Sequence, residues 1–226
     1  MNLIETKEFS SIYVAKAELD LPKELLARIK SKGLGIWARA EFEVRDGDRL
    51  MDRMRIAPSR SFLRNFGRMV RGFLSVVTTV NEDITDTSGV AQKPRLVQGT
   101  IASSGGGFNR VTTATPGFIR FGSGTAAVLS TDFDVQTPIA TLADATVTTT
   151  VVVEDATQSQ WQWQGSSPNT GGAVTVNEIT MNCNFSKANV TNSGFAAAIL
   201  RDLISPGVLV GAGLTALGRY TITVAV

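Results

Sequence analysis

The sequence predicts a mainly β protein, with a C-terminal antiparallel β-sandwich of jelly-roll or immunoglobulin-like type. A smaller N-terminal α+β region, with a β-hairpin and an amphipathic helix, precedes it. Three observations carry this. Beyond about residue 90 the strong periodicities are of period two, in segments separated by Gly, Ser, Thr and Asn turns. Asp46-Gly47 separates two alternating segments, and Asp-Gly is a favoured hairpin turn because its positions tolerate φ > 0. In Pro58–Phe73, Phe62, Phe66, Met69, Val70 and Phe73 recur at helical spacing.

In chain order, residues 8–20 alternate loosely and read as a strand. Pro22 then opens a short helix, Lys23–Lys32, which Gly33-Leu34-Gly35 ends. The hairpin pairs Trp37–Arg45 with Arg49–Ile56; Ala40, Phe42 and Val44 share one face, as do Leu50, Met54 and Ile56. The helix Pro58–Phe73 follows, started by Pro58 and Ser59, with its phenylalanines expected to hold it to the hairpin. Asn81–Gln98 is polar and turn-rich, which places a boundary near Lys93-Pro94 and divides the chain into 1–93, a docking region, and 94–226, the sandwich.

Within the sandwich, Gly117–Phe121, Thr146–Glu154, Gln158–Gln164 and Arg219–Val226 read as strands. In Val174–Phe185 the apolar parity changes: Val174 and Val176 fall in one phase, Ile179, Met181, Cys183 and Phe185 in the other. That predicts a β-bulge near Asn177-Glu178. Phe195–Leu200 is apolar throughout, as in a strand covered on both sides.

Composition narrows the chemistry. The chain has 226 residues, long enough for one large or two modest domains without a staple. It has one cysteine and no histidine, which excludes an internal disulfide, the usual zinc sites and histidine-based acid/base catalysis. No apolar run approaches the roughly 20 residues of a membrane span, and the N-terminus lacks a signal peptide's apolar core. Synthesis in the cytoplasm is therefore expected, and no membrane partner. Charge is uneven: residues 1–73 carry 15 Lys+Arg against 10 Asp+Glu, while residues 74–226 carry 7 against 10. Such asymmetry marks either a nucleic-acid surface or a basic end that docks on an acidic protein.

No catalytic, metal or cofactor constellation emerges. Ser103–Phe108 and Phe121–Thr125 are glycine-rich but lack the lysine and helix of a phosphate loop. Asp132 and Asp134, with Asp144, Glu154-Asp155, Glu178 and Asp202 elsewhere, could supply a glycosidase pair; Asp132 and Asp134 could instead help bind a calcium ion, or the acids simply form turns and solvated surface. Cys183 sits in an inward phase with no base beside it, as a small core residue does. Trp161 and Trp163 alternate with glutamines 158, 160, 162 and 164. They suit the sandwich core, a subunit interface or a glycan ligand. Arg60, Arg64, Arg68 and Arg71 form a row beside the apolar stripe of Phe62 and Phe66. The row suits a protein docking surface, a solvated helix face or nucleic acid. Nucleic acid would predict a salt slope near about −3.6 for four phosphate contacts, but the basic face has no interleaved aromatics.

Two segments carry a resemblance. The first is Ala57-Pro58-Ser59-Arg60-Ser61-Phe62-Leu63-Arg64-Asn65-Phe66, following a strand–turn–strand. The second runs from Phe118–Thr125 with its Gly122-Ser123-Gly124 turn, through Ser130-Thr131-Asp132 to Pro138-Ile139. It continues with Ala173–Ile179 containing Glu178, Ala198–Asp202 containing Arg201-Asp202, and a final Leu214–Val226. This order resembles a group of tailed-bacteriophage structural proteins from podovirus-like and crAss-like genomes. The chain departs from that pattern at Asp134-Val135-Gln136 and in a plain Leu209–Gly218 turn. The resemblance implies a non-enzymatic, multicopy virion protein of the tail, neck or capsid exterior, docking through its N-terminal half on copies of itself and other virion proteins. The alternative is a receptor- or glycan-binding module of a tail or fibre that meets a host-surface glycan.

Overall fold

The computed structural model describes residues 35–59, 62–74, 83–93, 117–154, 158–186 and 194–225. The predicted strand 8–20 and helix Lys23–Lys32 lie outside them. Strands β1 (Gly35–Asp46) and β2 (Arg49–Ser59) form the predicted hairpin around Gly47, whose φ is 55°. Helix α1 (Arg64–Leu74) and the short strands β3 (Ile84–Thr85) and β4 (Ala91–Gln92) follow. Then come β5 (Gly117–Gly122), β6 (Ala145–Thr146), β7 (Thr148–Glu154) and β8 (Gln158–Pro168). The long strands β9 (Val174–Ser186), β10 (Gly194–Val210) and β11 (Thr215–Ala225) complete the described chain.

The strands make two antiparallel sheets, β2–β1–β11–β8–β7 and β10–β9–β5–β6, with β3–β4 apart. The sheets pack face to face as a sandwich. Ala38, Ala40, Phe42 and Val44 of β1 and Tyr220 and Ile222 of β11 meet Ile119, Phe121, Ile179 and Met181 of the other sheet. Phe42 meets Phe121 edge-on at 5.7 Å, and the buried Tyr220 hydroxyl donates across the interface to the Ile179 carbonyl at 2.9 Å. Burial pushes that phenol well above its ordinary 10.0, with the nearby Asp202 carboxylate adding to the effect.

The mainly β sandwich matches the sequence reading; its division at Lys93-Pro94 does not. β1 pairs with β11 along its whole length, from Gly35 opposite Ala225 to Arg45 opposite Thr215. The hairpin assigned to a separate docking region thus supplies two of the five strands of that sheet. Pairing between strands so far apart leaves no local signature, whereas the polar stretch between them does.

The helix also differs. β2 continues through Ser59, opposite Ala38, so Pro58 lies in a strand rather than at a helix start. β2 is an edge strand, where a residue without an N–H breaks no ladder. Phe62 forms an isolated bridge with Leu200, and α1 begins only at Arg64. Among the described residues the helix packs chiefly against β10 and β3. The segment explains why Ala197–Leu200 of β10, itself an edge strand, is buried. The Leu63 amide donates to Ile199, and Asn65 donates to Ala198 at 3.0 Å and Thr85 at 2.8 Å.

The parity change in β9 is present. Its register with β10 jumps from Glu178 opposite Leu203 to Val176 opposite Val208, which lets Val176 and Ile179 both face the core. A second irregularity corrects Leu50. Val44 lies opposite Asp52 and Arg45 opposite Leu50, so Met51 is an extra residue and Leu50 leaves the face of Met54 and Ile56. The predicted strand Thr146–Glu154 is divided at Val147: β6 belongs to one sheet and β7 to the other.

Candidate functional site

Three polar assemblies are candidate sites, and the deepest is built around Arg201. Gly122-Ser123-Gly124 leads from β5 into a loop, residues 123–144, that crosses the outer side of the four-stranded sheet. Glu178, on β9 opposite Gly122, points from that side and is fully buried. Its Oε1 accepts the amides of Gly124 and Thr137, both at 3.0 Å, and its Oε2 accepts the Gln136 amide at 3.1 Å. Arg201, on β10, completes the set: Nε donates to Glu178 Oε2 at 2.8 Å and Nη1 to Asp132 at 2.6 Å. Nη2 donates to the Ala126 carbonyl at 3.2 Å. Glycine is required at 122 and 124 by close approach, since a Cβ at Gly124 would stand 2.5 Å from Glu178 Oε1. The arrangement is a latch that fastens a loop to two strands.

Asp132 and Asp134 do not act together. Asp132 faces Arg201 and also accepts the Leu129 amide at 2.8 Å, while Asp134 pairs with Arg120, which grips Asp144 at 2.7 and 2.6 Å. Burial raises the Asp134 carboxyl above its ordinary 3.8 even though the Arg120 charge opposes it.

The second assembly lies on the outer face of the five-stranded sheet. Glu41 and Glu43 alternate with the inward residues of β1 and are both buried. Arg53 and Arg55 flank them on β2 and Arg219 on β11. Glu43 takes Arg45 at 2.7 Å, Arg53 at 2.9 Å and Arg219 at 2.6 Å; Glu41 takes Arg55 at 3.0 Å. Burial alone would raise the Glu43 carboxyl, but hydrogen bonds and charge from Arg45 and Arg219 outweigh it and hold it below the ordinary 4.5. The ladder continues through Arg219 to Gln164 at 2.6 Å, and Gln162 donates to Thr221 at 3.3 Å.

That placement separates the tryptophans from the glutamines. Trp161 and Trp163 lie opposite Ile222 and Tyr220, partly buried against the core and edge-on to each other at 6.3 Å. Gln162 and Gln164 lie on the opposite face. A glycan site combining stacked rings with neighbouring amides is therefore not formed by β8, and of the three readings of Trp161 and Trp163 the geometry is that of core packing.

The third is the arginine row. Arg64 is exposed and Arg68 partly so, one helical turn apart, while the Phe62 and Phe66 rings meet tilted at 4.3 Å and pack on the core. Arg60 precedes the helix and, like the side chain of Arg71, lies outside the described residues. Arg64 and Arg68 are the described part of the row, and of Phe62 and Phe66 the second lies within the helix. Cys183 is partly buried, and burial pushes its thiol up to about 12.

Sequence reading missed Arg201 and Asn65 as organising residues and took Glu178 for a turn or surface acid. The available signal was an arginine beside a wholly apolar strand, which cannot stay buried without a carboxylate partner. Comparison with known proteins finds no matching family model, no matching curated protein and no matching solved structure.

Proposed function

We propose that the chain is a non-enzymatic bacteriophage virion structural protein, a multicopy component of the tail, neck or capsid exterior that docks through its N-terminal half. The observation that carries this reading is the work done by the residues on which the phage resemblance rests. Gly122, Gly124, Asp132, Glu178 and Arg201 converge on one latch, and Asn65 clamps α1 to β3 and β10. These are roles in holding a shape, which is what a resemblance between structural proteins would preserve.

Arg64 and Arg68 supply the basic docking surface of this reading, and guanidinium suits interface ion pairs. The test is mass spectrometry of purified virions together with the double variant Arg64→Glu/Arg68→Glu. The chain is expected in particles, and the variant is expected to fold but not to be incorporated. Absence of the native chain from virions overturns the proposal, and unchanged incorporation of the variant removes these arginines from it.

A further inference from the structure

The outer face of the five-stranded sheet presents positive charge, and its side chains follow from the register. Ala38, Ala40, Phe42 and Val44 of β1 face the core, so Arg39, Glu41, Glu43 and Arg45 face outward. Pairing sets Arg53 and Arg55 of β2 opposite Glu43 and Glu41, and Arg219 of β11 opposite Glu41. Gln164, Gln162 and Gln160 of β8 extend the face opposite Arg219, Thr221 and Thr223. Thr148 and Thr150 of β7 lie opposite Gln164 and Gln162. Among the described residues, the elements that chiefly pack on these strands belong to the four-stranded sheet, on the inner side.

The face carries five arginines against two glutamates. The acids of the hairpin end do not reverse this. Asp46 and Asp52 take the phase of Val44, with Arg49, and Asp48 lies in the turn. Glu154 lies opposite Ser159, out of phase with the glutamines. The two glutamates are also the buried members. Their side chains are 5% and 1% exposed, against 50% for Arg55, 37% for Arg53, 31% for Arg39 and 29% for Arg45. Solvent therefore meets guanidinium, held from beneath by carboxylate: Arg55 by Glu41 at 3.0 Å, Arg53 and Arg45 by Glu43 at 2.9 and 2.7 Å. Arginines fixed in this way lose less freedom when they take a further anion.

Arg55, Glu41, Arg219, Gln164 and Thr148 stand level on five successive strands, about 19 Å at roughly 4.8 Å per strand. The row runs from guanidinium at β2 to amide and hydroxyl at β7. Nucleic acid, charged at every unit, would meet cations on only three of the five strands. A protein partner would want a central apolar anchor, but the exposed Leu50, Met51 and Val152 all sit on the edge strands.

We infer that this face binds an acidic polysaccharide whose units carry carboxylate groups. The guanidinium groups take the carboxylates, which match them in paired hydrogen bonds, and the glutamine amides and threonine hydroxyls take the sugar hydroxyls. The site uses the amides of β8 without the rings of Trp161 and Trp163, and it does not rest on the virion reading.

Calorimetric titration of the full chain tests it, with polygalacturonate fragments as the probe and dextran, polyglutamate and oligothymidylate as comparisons. Polygalacturonate is expected to bind, more weakly as salt rises. Dextran is expected not to bind, and polyglutamate and oligothymidylate to bind at least tenfold more weakly. Arg39→Gln/Arg55→Gln is expected to weaken polygalacturonate binding about tenfold or more and to reduce its salt dependence. Gln162→Ala/Thr150→Ala is expected to weaken it about threefold with the salt dependence kept. Circular dichroism checks that both variants fold. No binding of polygalacturonate, equal binding of polyglutamate or oligothymidylate, or an affinity unchanged in either variant overturns the site. Absence of the chain from virions bears on the structural reading alone and leaves this one standing.

Discussion

Arg201 and Glu178 form a buried ion pair of a kind that apolar residues can often replace at little cost, yet here the surroundings argue otherwise. Glu178 also accepts the amides of Gly124, Gln136 and Thr137, which have the loop as their only covalent support. Arg201→Met strands a buried carboxylate and should cost about 3–5 kcal/mol, read by urea denaturation. The double variant Glu178→Met/Arg201→Met should be no more stable than the single one, because it leaves three loop amides without an acceptor at about 1–3 kcal/mol each. A double variant restored to native stability would remove the latch from this account. Cys183 offers a second residue-scale check. With its thiol at about 12, little thiolate exists at pH 8, so iodoacetamide should label it only under unfolding conditions. Rapid labelling of the folded protein would contradict that environment.

At the scale of elements, one amide side chain ties α1 to two neighbouring strands. Asn65 donates to two carbonyls and accepts the Thr85 amide at 3.0 Å, joining α1, β3 and the edge of β10. Asn65→Ala should lower stability by about 2–4 kcal/mol, at roughly 1 kcal/mol per hydrogen bond with a penalty for groups left unpaired. Hydrogen exchange should quicken at Thr85. Protection unchanged there would mean that the stripe alone holds the helix. The outer charge ladder has its own pH signature. Because Glu43 titrates below its ordinary value when folded, its contribution to stability is complete above about 4.5 and is lost as pH falls through the folded pKa. Glu43→Gln should flatten the acid limb of the stability–pH curve, and an identical limb would show that the ladder does not contribute. Alternation made β1, β8 and β11 legible in the sequence, since a half-buried strand must alternate. The start of α1 was hidden because Pro58 and Ser59 fit a helix start as well as the end of an edge strand. The latch was hidden because its carboxylates and guanidinium are brought together by register, not by spacing.

At the scale of the molecule, the pairing of β1 with β11 decides whether the chain has one folding unit or two in its described part. Removing residues 1–93 would leave β11 with β8 alone as a sheet partner and would take Ala38, Ala40, Phe42 and Val44 out of the core. The remaining 94–226 would expose the face of Phe121 that meets Phe42, and with it the row formed by Tyr220 and Ile222. Losses of this kind cost about 3–5 kcal/mol for a large aromatic alone, against a total stability of about 5–15 kcal/mol for a domain. The 94–226 fragment should therefore lack a cooperative thermal transition and should aggregate through its uncovered β11 edge. Adding residues 35–59 as a separate peptide should restore part of the transition if the hairpin still finds its place. A fragment that melts cooperatively at the temperature of the full chain would instead return the boundary to Lys93-Pro94 and make the hairpin an accessory to a self-sufficient sandwich.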